Sequence, residues 1–361
     1  MKKICIVKED ITQKGGSERI ACLLMNELSN KFEVYCISIK KANDIPAYPL
    51  NSKIKIKYLS SSSKRIRYQL VKLLFKYINI VLKNKIDIIL NIGVGGIAIS
   101  FISKLFNNKI ISCEHSNLKN LNDNLSKRKC QFLTAIFSNK VITLTEKDRI
   151  NYIQKFNLSE DRVDYIYNFI DDELLNLKNK YNINSKKIIT VGRFDKVKGY
   201  DRLVKIAEKV LEKNKDWEWH IYGNGEEFKN IKTLIKENQL EDRLILKGKV
   251  DNIYELYKEY SFYVMTSYYE GLPMVLLEAK ANNLPLISFD IETGPSEIIR
   301  NGVDGYLIEN NNLEEIEEKI NYLIVNKNIR KEFSDRSKEN LDKFEKNKII
   351  NRWLEIINGL N

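Results

Sequence analysis

The sequence predicts an α/β protein made of two doubly wound, Rossmann-like halves, each carrying a parallel sheet. Three observations lead there. Short apolar, β-branched runs alternate with helix-period segments along the whole chain, the pattern of βαβ units. That alternation loosens once, over 169–185, into Asn-rich polar text and then restarts, so 361 residues divide into two domains of ordinary size. Glycines gather at the exits of particular strands, where open parallel sheets bind their ligands. The expected division is a first Rossmann-like domain over 1–168, a linker over 169–185, a second over 186–345 and a terminal helix over 346–361.

In chain order, residues 3–7 read as the first strand. Its exit loop holds Gly15 and Gly16, with Ser17 expected to cap a helix over 18–28. Residues 32–39, 53–59, 87–92 and 109–113 are further strands. Gly93, Gly95 and Gly96 follow one of them, and Glu114, His115, Ser116 and Asn117 follow the next. Residues 140–144, a helix and 162–167 end the first half. The second begins with a strand over 187–191 that runs into Gly192 and Arg193, then Lys198 and Gly199. A helix over 201–212 and a strand over 217–222 follow. In that strand Trp217, Trp219 and His220 read as core. Segments 226–238, 243–246, 252–260 and 262–266 continue the alternation, 285–289 is a last strand, and 313–360 is helical.

Composition narrows the class. The chain is 43% hydrophobic and 30% charged, as soluble globular proteins are, and no window approaches 18 uncharged apolar residues. The N-terminus reads as a strand, with neither the apolar region nor the cleavage site of a signal peptide. Five cysteines, odd in number and scattered in apolar text, predict reduced thiols in a cytoplasm, without disulfides or zinc. The net charge of +12 is lopsided: residues 1–170 hold 29 Lys and Arg against 14 Asp and Glu. Much of the excess lies in 61–85, where Lys64, Arg65, Arg67, Lys72, Lys76, Lys83 and Lys85 occur without an acid. Ile66, Leu70, Leu73, Leu74, Tyr77, Ile78 and Val81 recur there at helical spacing. This reads as a basic amphipathic helix able to lie on anionic lipid, joined by a second cluster at Lys127, Arg128 and Lys129. The competing reading is a helix packed on the sheet by the same stripe. The chain shows no nucleic-acid module, and its basic excess avoids the half that holds the phosphate loop, so no nucleic acid is expected.

The chemistry concentrates in 267–280. A β-rich run over 262–266 ends at a turn containing Glu270 and Gly271, and Pro273 is expected at the first helical position. A helix start aimed at a strand end binds anions through free N–H groups and its partial positive charge. Glu278 follows within the helix, a second carboxylate to reach another part of one ligand. Arg193 and Lys198, on a glycine-bounded loop, could together hold a diphosphate without a metal. Nowhere does the chain contain Asp-x-Asp, the usual carboxylate pair for Mg²⁺-bound sugar nucleotides, so neither metal nor cofactor is expected.

In this order the motifs resemble those of the retaining GT-B glycosyltransferases of family 4, over nearly the whole chain. Glu270 and Glu278 match the family's E-x₇-E pattern, Gly192 to Gly199 its diphosphate loop, and Gly15 to Glu18 its N-terminal glycine loop. Gly294 to Ile299, with Gly302 to Gly305, match the region that follows. The resemblance implies a GT-B fold, two parallel sheets facing across a cleft, with the C-terminal helix crossing back to the first domain. It implies acceptor binding by the first domain and nucleotide-sugar binding by the second. Arg193 and Lys198 would bind the diphosphate and stabilise its departure. Glu278 would hold the ribose and Glu270 the donor sugar's hydroxyls. The amides of Gly271, Leu272, Pro273's neighbours Met274 and Val275, and the backbone of Gly192, would line the donor. Gly15 and Gly16 would let the backbone approach the ligand, His115 would lie near the donor sugar, and Val250 near the base. The donor would be a UDP-hexose or UDP-N-acetylhexosamine, the acceptor a lipid-linked or surface oligosaccharide such as a capsule or lipopolysaccharide intermediate. The enzyme would sit on the inner face of a bacterial membrane. Front-face attack and a covalent Glu270 intermediate both remain open. A GT-B epimerase or phosphorylase, or a non-catalytic membrane-associated glycan-binding protein, is the alternative; the Glu270/Glu278 pair and the intact Arg193, Lys198 and Glu278 set argue against them.

Overall fold

A computed structural model describes residues 1–60, 69–118, 125–176, 179–250 and 252–360. The chain divides into two compact units, Met1–Asn168 with Asn347–Asn361, and Phe169–Lys346.

The first unit runs β1 (Lys3–Lys8), α1 (Gly16–Leu28), β2 (Glu33–Ser38), β3 (Lys55–Tyr58), α2 (Leu70–Asn84), β4 (Ile88–Ile92), α3 (Ile97–Ser100), β5 (Lys109–Cys113), α4 (Leu125–Phe137), β6 (Lys140–Thr143), α5 (Glu146–Phe156) and β7 (Val163–Tyr165). Its seven strands are ordered β3-β2-β1-β4-β5-β6-β7, all parallel. Helices cover both faces, which is why β4 is an almost unbroken apolar run buried throughout and β1 is buried from Ile4 onward. The order reverses between β1 and β4, so their carboxyl ends part and leave a crevice there.

The second unit runs α6 (Asp172–Leu175), β8 (Lys187–Val191), α7 (Tyr200–Lys213), β9 (Glu218–Tyr222), α8 (Phe228–Glu237), β10 (Leu244–Gly248), β11 (Phe262–Met265), α9 (Met274–Ala281), β12 (Leu286–Asp290), α10 (Pro295–Ile298), β13 (Gly305–Glu309), α11 (Leu313–Val325) and α12 (Lys327–Arg336). Its parallel sheet is ordered β10-β9-β8-β11-β12-β13, reversing between β8 and β11. α7 turns Leu203, Val204, Ala207, Val210 and Leu211 into the core, where Trp217 and Trp219 also lie. His220 is a core histidine: Nδ1 meets Tyr260 Oη at 2.9 Å, Nε2 meets Glu218 Oε2 at 2.8 Å, and burial holds its pKa down. The last helix, α13 (Lys346–Gly359), belongs to the first unit, which it joins through buried Ile349, Trp353 and Ile357.

The structure departs from the sequence reading at several elements. α1 starts at Gly16 with Gly15 as its extended N-cap; Ser17 is no cap, because its hydroxyl is bonded to Lys8 and Glu18. Segment 252–260 holds one 3₁₀ turn, Tyr257–Glu259, and β13 is a strand the sequence reading lacked. The described part of 169–185 is docked on the second unit: Phe169 and Ile170 are buried, and Tyr181 Oη and Ser185 Oγ donate to the carbonyls of Ser261 and Glu259 at 2.7 and 2.6 Å. Pro273 is the N-cap of α9, one position before the helix.

α9 is anchored from its other end. Lys280, fully buried, donates to Asp304 Oδ2 at 2.8 Å and to the Ile298 carbonyl at 2.6 Å, and Arg300 shares Asp304 at 2.7 Å. Asp304→Ala leaves a buried ammonium without its counter-charge and is expected to cost on the order of 3–5 kcal/mol, read from the urea midpoint.

Candidate functional site

The loops leaving β8 and β11 meet at the point where the second sheet reverses order. After β8 the chain passes Gly192, tucks Phe194 between Tyr200 and Phe228 at ring distances of 5.1 and 5.7 Å, and makes a 3₁₀ turn over Lys196–Lys198. Gly199, at φ +63°, then opens α7. The buried Phe194 ring fixes this loop, and Lys198 is carried to the opposite loop. Its Nζ lies 2.6 Å from Glu270 Oε1, with both side chains mostly sheltered from water. Ser267 Oγ donates to the same Glu270 oxygen at 2.7 Å, and Thr293 Oγ1 donates to the Glu270 carbonyl at 2.6 Å. A small cavity lies against Lys198, Tyr200, Ser267, Glu270 and Val275.

Glycine makes these loops possible. A Cβ at Gly199 would stand 2.1 Å from the Thr266 carbonyl oxygen, and one at Gly223 would stand 1.8 Å from that of Gly192. Gly294, at φ +103°, presses against Pro273 and the Gly271 carbonyl, so the loop after β12 braces the turn that carries Glu270.

Of the sequence-predicted donor residues, Lys198, Glu270, Gly271, Leu272, Pro273, Met274, Val275 and Gly192 lie on these adjoining loops. The first-turn amides of Met274 and Val275 have no helical carbonyl behind them. Glu278, buried on α9, accepts from Tyr254 Oη at 3.4 Å. Arg193 is different: its side chain is 75% exposed and grips Asp195, Nε at 2.8 Å and Nη2 at 2.7 Å. Val250 is half-buried in the loop after β10. Ser267, Thr293 and Tyr254 went unread in the sequence, since a hydroxyl near a strand exit carries no distinguishing spacing.

Gly15, Gly16 and His115 belong to the first unit. His115 is half-buried just past β5; burial, and then the Lys8 ammonium, push its pKa down to about 3, so its imidazole is neutral at physiological pH. Beside it Glu114 is buried, accepts a 3.3 Å bond from Thr134 Oγ1, and is pushed up to about 8 by burial, with Asp148 adding to the rise.

Of the predicted lipid-facing stripe, Ile66 lies outside the described residues and the rest is turned to the core. Leu73, Tyr77 and Val81 are in the core and Leu70, Leu74 and Ile78 pack against it, because an amphipathic helix beside a bare sheet face covers that face first. Lys72 is exposed on α2; Lys76 instead donates to the carbonyls of Tyr58 and Leu59 at 2.7 and 2.8 Å. Lys127, Arg128 and Lys129 are exposed on α4. Lys64, Arg65 and Arg67 lie outside the described residues. No described helix is long and apolar enough to cross a membrane.

Glu114 gives this unit a pH signature. Its folded pKa lies above the ordinary 4.5, so the stability it contributes is complete below that value and is lost as pH rises through about 8. Glu114→Gln removes the titration. The variant is expected to gain on the order of 5 °C in Tm over the native protein at pH 8 and little at pH 5, measured by calorimetry at both.

Comparison with known proteins adds independent evidence. The family described as "Glycosyl transferases group 1" matches residues 173–340, and "Glycosyltransferase Family 4" matches residues 14–174. The amylovoran biosynthesis glycosyltransferase AmsD of Erwinia amylovora is 30% identical over 99% of this chain and 100% of its own. The N-acetylgalactosamine-N,N'-diacetylbacillosaminyl-diphospho-undecaprenol 4-alpha-N-acetylgalactosaminyltransferase of Campylobacter jejuni is 26% identical over 96% of each chain. Among solved structures, a point mutant of S. aureus TarM in complex with fondaparinux, alpha-GlcNAc-glycerol and UDP superposes with a TM-score of 0.84 at 19% identity, over 99% of this chain and 100% of that one. With two parallel Rossmann-like sheets, and family matches that together span residues 14–340, the chain belongs to the family 4 glycosyltransferases and is a GT-B enzyme.

Proposed function

We propose that the chain is a retaining, metal-independent transferase that moves a hexose or N-acetylhexosamine from a UDP-linked donor to a lipid-linked or surface-polysaccharide acceptor. The observation that carries this reading is the Lys198–Glu270 pair, 2.6 Å apart at the crevice between β8 and β11, next to the first turn of α9. A diphosphate there competes with Glu270 for the ammonium and takes up the amides of Met274 and Val275. Arg193, exposed and held only to Asp195 among its described ion pairs, can swing to the same phosphates. Glu278 takes the ribose hydroxyls, with Tyr254 steadying its carboxylate, and Val250 borders the base.

The chemistry follows from where charge moves. The bond from the sugar's anomeric carbon to the diphosphate oxygen lengthens through an oxocarbenium-like state. Lys198 and Arg193 stabilise the negative charge gathering on the leaving group, the largest contribution fixed charges make. The acceptor oxygen then bonds the anomeric carbon on the face the diphosphate leaves, and its proton passes to the departing phosphate. Glu270, released from Lys198, accepts from the sugar's hydroxyls. In the first unit His115, kept neutral, can hydrogen-bond a hydroxyl group without carrying charge. The UDP in the TarM structure and the α linkages in the relatives' names support this donor class and stereochemistry.

The acceptor reading extends to a surface. Val71, Phe75 and Leu82 of α2 are exposed, as are Leu105 and Phe106 of the turn Phe101–Phe106, and Leu125, Phe132 and Ile136 of α4. α2 and α4 both pack against that turn. Lys72 and Lys83, with Lys127, Arg128 and Lys129, accompany these apolar side chains. Such a basic, apolar face suits an anionic bilayer from which a lipid-linked acceptor is drawn.

Two outcomes test the proposal. Lys198→Ala is expected to keep the native Tm within about 2 °C while lowering UDP release from UDP-sugars by about 10²–10³-fold; unchanged turnover removes the diphosphate assignment. Phe75→Asp with Phe132→Asp is expected to weaken co-sedimentation with phosphatidylglycerol–phosphatidylethanolamine vesicles by about tenfold or more, and equal binding by both proteins removes the membrane reading.

A further inference from the structure

Gly15 and Gly16 are adjacent, yet they meet different surroundings. The Gly15 backbone is extended, φ −165° and ψ 165°, a conformation open to any residue. What excludes a side chain there is Glu18: a Cβ on Gly15 would lie 2.2 Å from Glu18 Oε2. An unrestrained surface acid would swing away at little cost. Glu18 is restrained, because Oε1 lies 2.9 Å from Lys8 Nζ and 3.0 Å from Ser17 Oγ, which in turn lies 2.8 Å from the same ammonium. Lys8 closes β1 and is only 5% exposed, so moving Glu18 uncovers a buried cation. Gly16 is the reverse case. It is exposed at the first position of α1, and a Cβ there meets no protein atom within 4 Å.

We propose that Lys8 and Glu18 are positioning residues whose ion pair is wedged beneath Gly15 and sets the loop so that Gly16 faces the substrate at the carboxyl end of the first sheet. Gly15 is then glycine on behalf of the protein, and Gly16 on behalf of the ligand. Because Lys8 is paired with Glu18, the loop offers the substrate its backbone rather than an ammonium, which suits close approach by a sugar or phosphate group. The substrate half of this inference rests on the transferase reading above; the wedge itself does not.

The experiment separates the two. Gly15→Ala is made in the native chain, in Lys8→Met/Glu18→Ala, which removes both charges together so that neither is stranded, and in Glu18→Gln, which keeps the volume. Gly16→Ala is made in the native chain. Tm is measured for all, and UDP release is measured with UDP-glucose, UDP-galactose and their two N-acetylamino counterparts. Gly15→Ala is expected to lower Tm by about 5 °C or more in the native and Glu18→Gln proteins and by less than about 1 °C in the doubly uncharged one. Gly16→Ala is expected to leave Tm unchanged and to lower turnover about a hundredfold. Equal Tm losses in every background overturn the wedge. Full turnover by Gly16→Ala overturns the assignment of Gly16 to the substrate. A native protein that turns over none of the four donors counts against the proposed function, and the Tm comparison still decides the wedge.

Discussion

The second unit depends on backbone touching backbone. Loops leaving β8, β9, β11 and β12 are drawn together at distances no Cβ would allow: Gly199 against Thr266, Gly223 against Gly192, Gly225 against Phe194, Gly294 against Gly271. Each contact replaces a side chain with a carbonyl. The result is that these loops pack closely around the cavity beside Lys198 and Glu270. Backbone so held suits an extended anion, since amides and carbonyls are fixed by the fold and lose no rotamer freedom on contact.

Arg202 is the knot that ties these loops. It projects from α7 and its guanidinium is stacked between the rings of Tyr268 and Phe289, 4.2 and 4.1 Å from their centroids. It donates to the carbonyls of Thr266 and Ser267 and to the side chains of Asn310 and Asn311. One planar cation thereby joins α7, the exit of β11, β12 and the turn after β13. The carbonyls it holds immediately precede the turn of Glu270, so that carboxylate inherits its place from a residue 68 positions earlier in the chain.

Much of this was legible in the sequence because the signals are local. Strand–glycine–helix text marks a crevice wherever it occurs, and the seven-residue interval from Glu270 to Glu278 crosses one turn and one short helix. β5 and β8 were read to the residue. What escaped were features set by distant partners. Ser17 looks like a cap, but its hydroxyl goes to Lys8, nine residues back. The apolar stripe of α2 looks like a membrane face, but the sheet it covers is assembled from strands on both sides of it. Arg202 reads as one more charge on a helix, and Glu114 as an ordinary acid, until burial is known.

The mutual grip of Lys198 and Glu270 has one more consequence, for selectivity. A monovalent ion entering the crevice offers the ammonium nothing that the carboxylate does not already supply at 2.6 Å, and it must first displace it. The pyrophosphate ester of the proposed donor would bring several negative oxygens at once, to compete with the internal rival and occupy the helix start. Under the proposed function the pair would act as a threshold: chloride and other simple salts would fall below it, and a ligand with charge spread along a chain of oxygens would rise above.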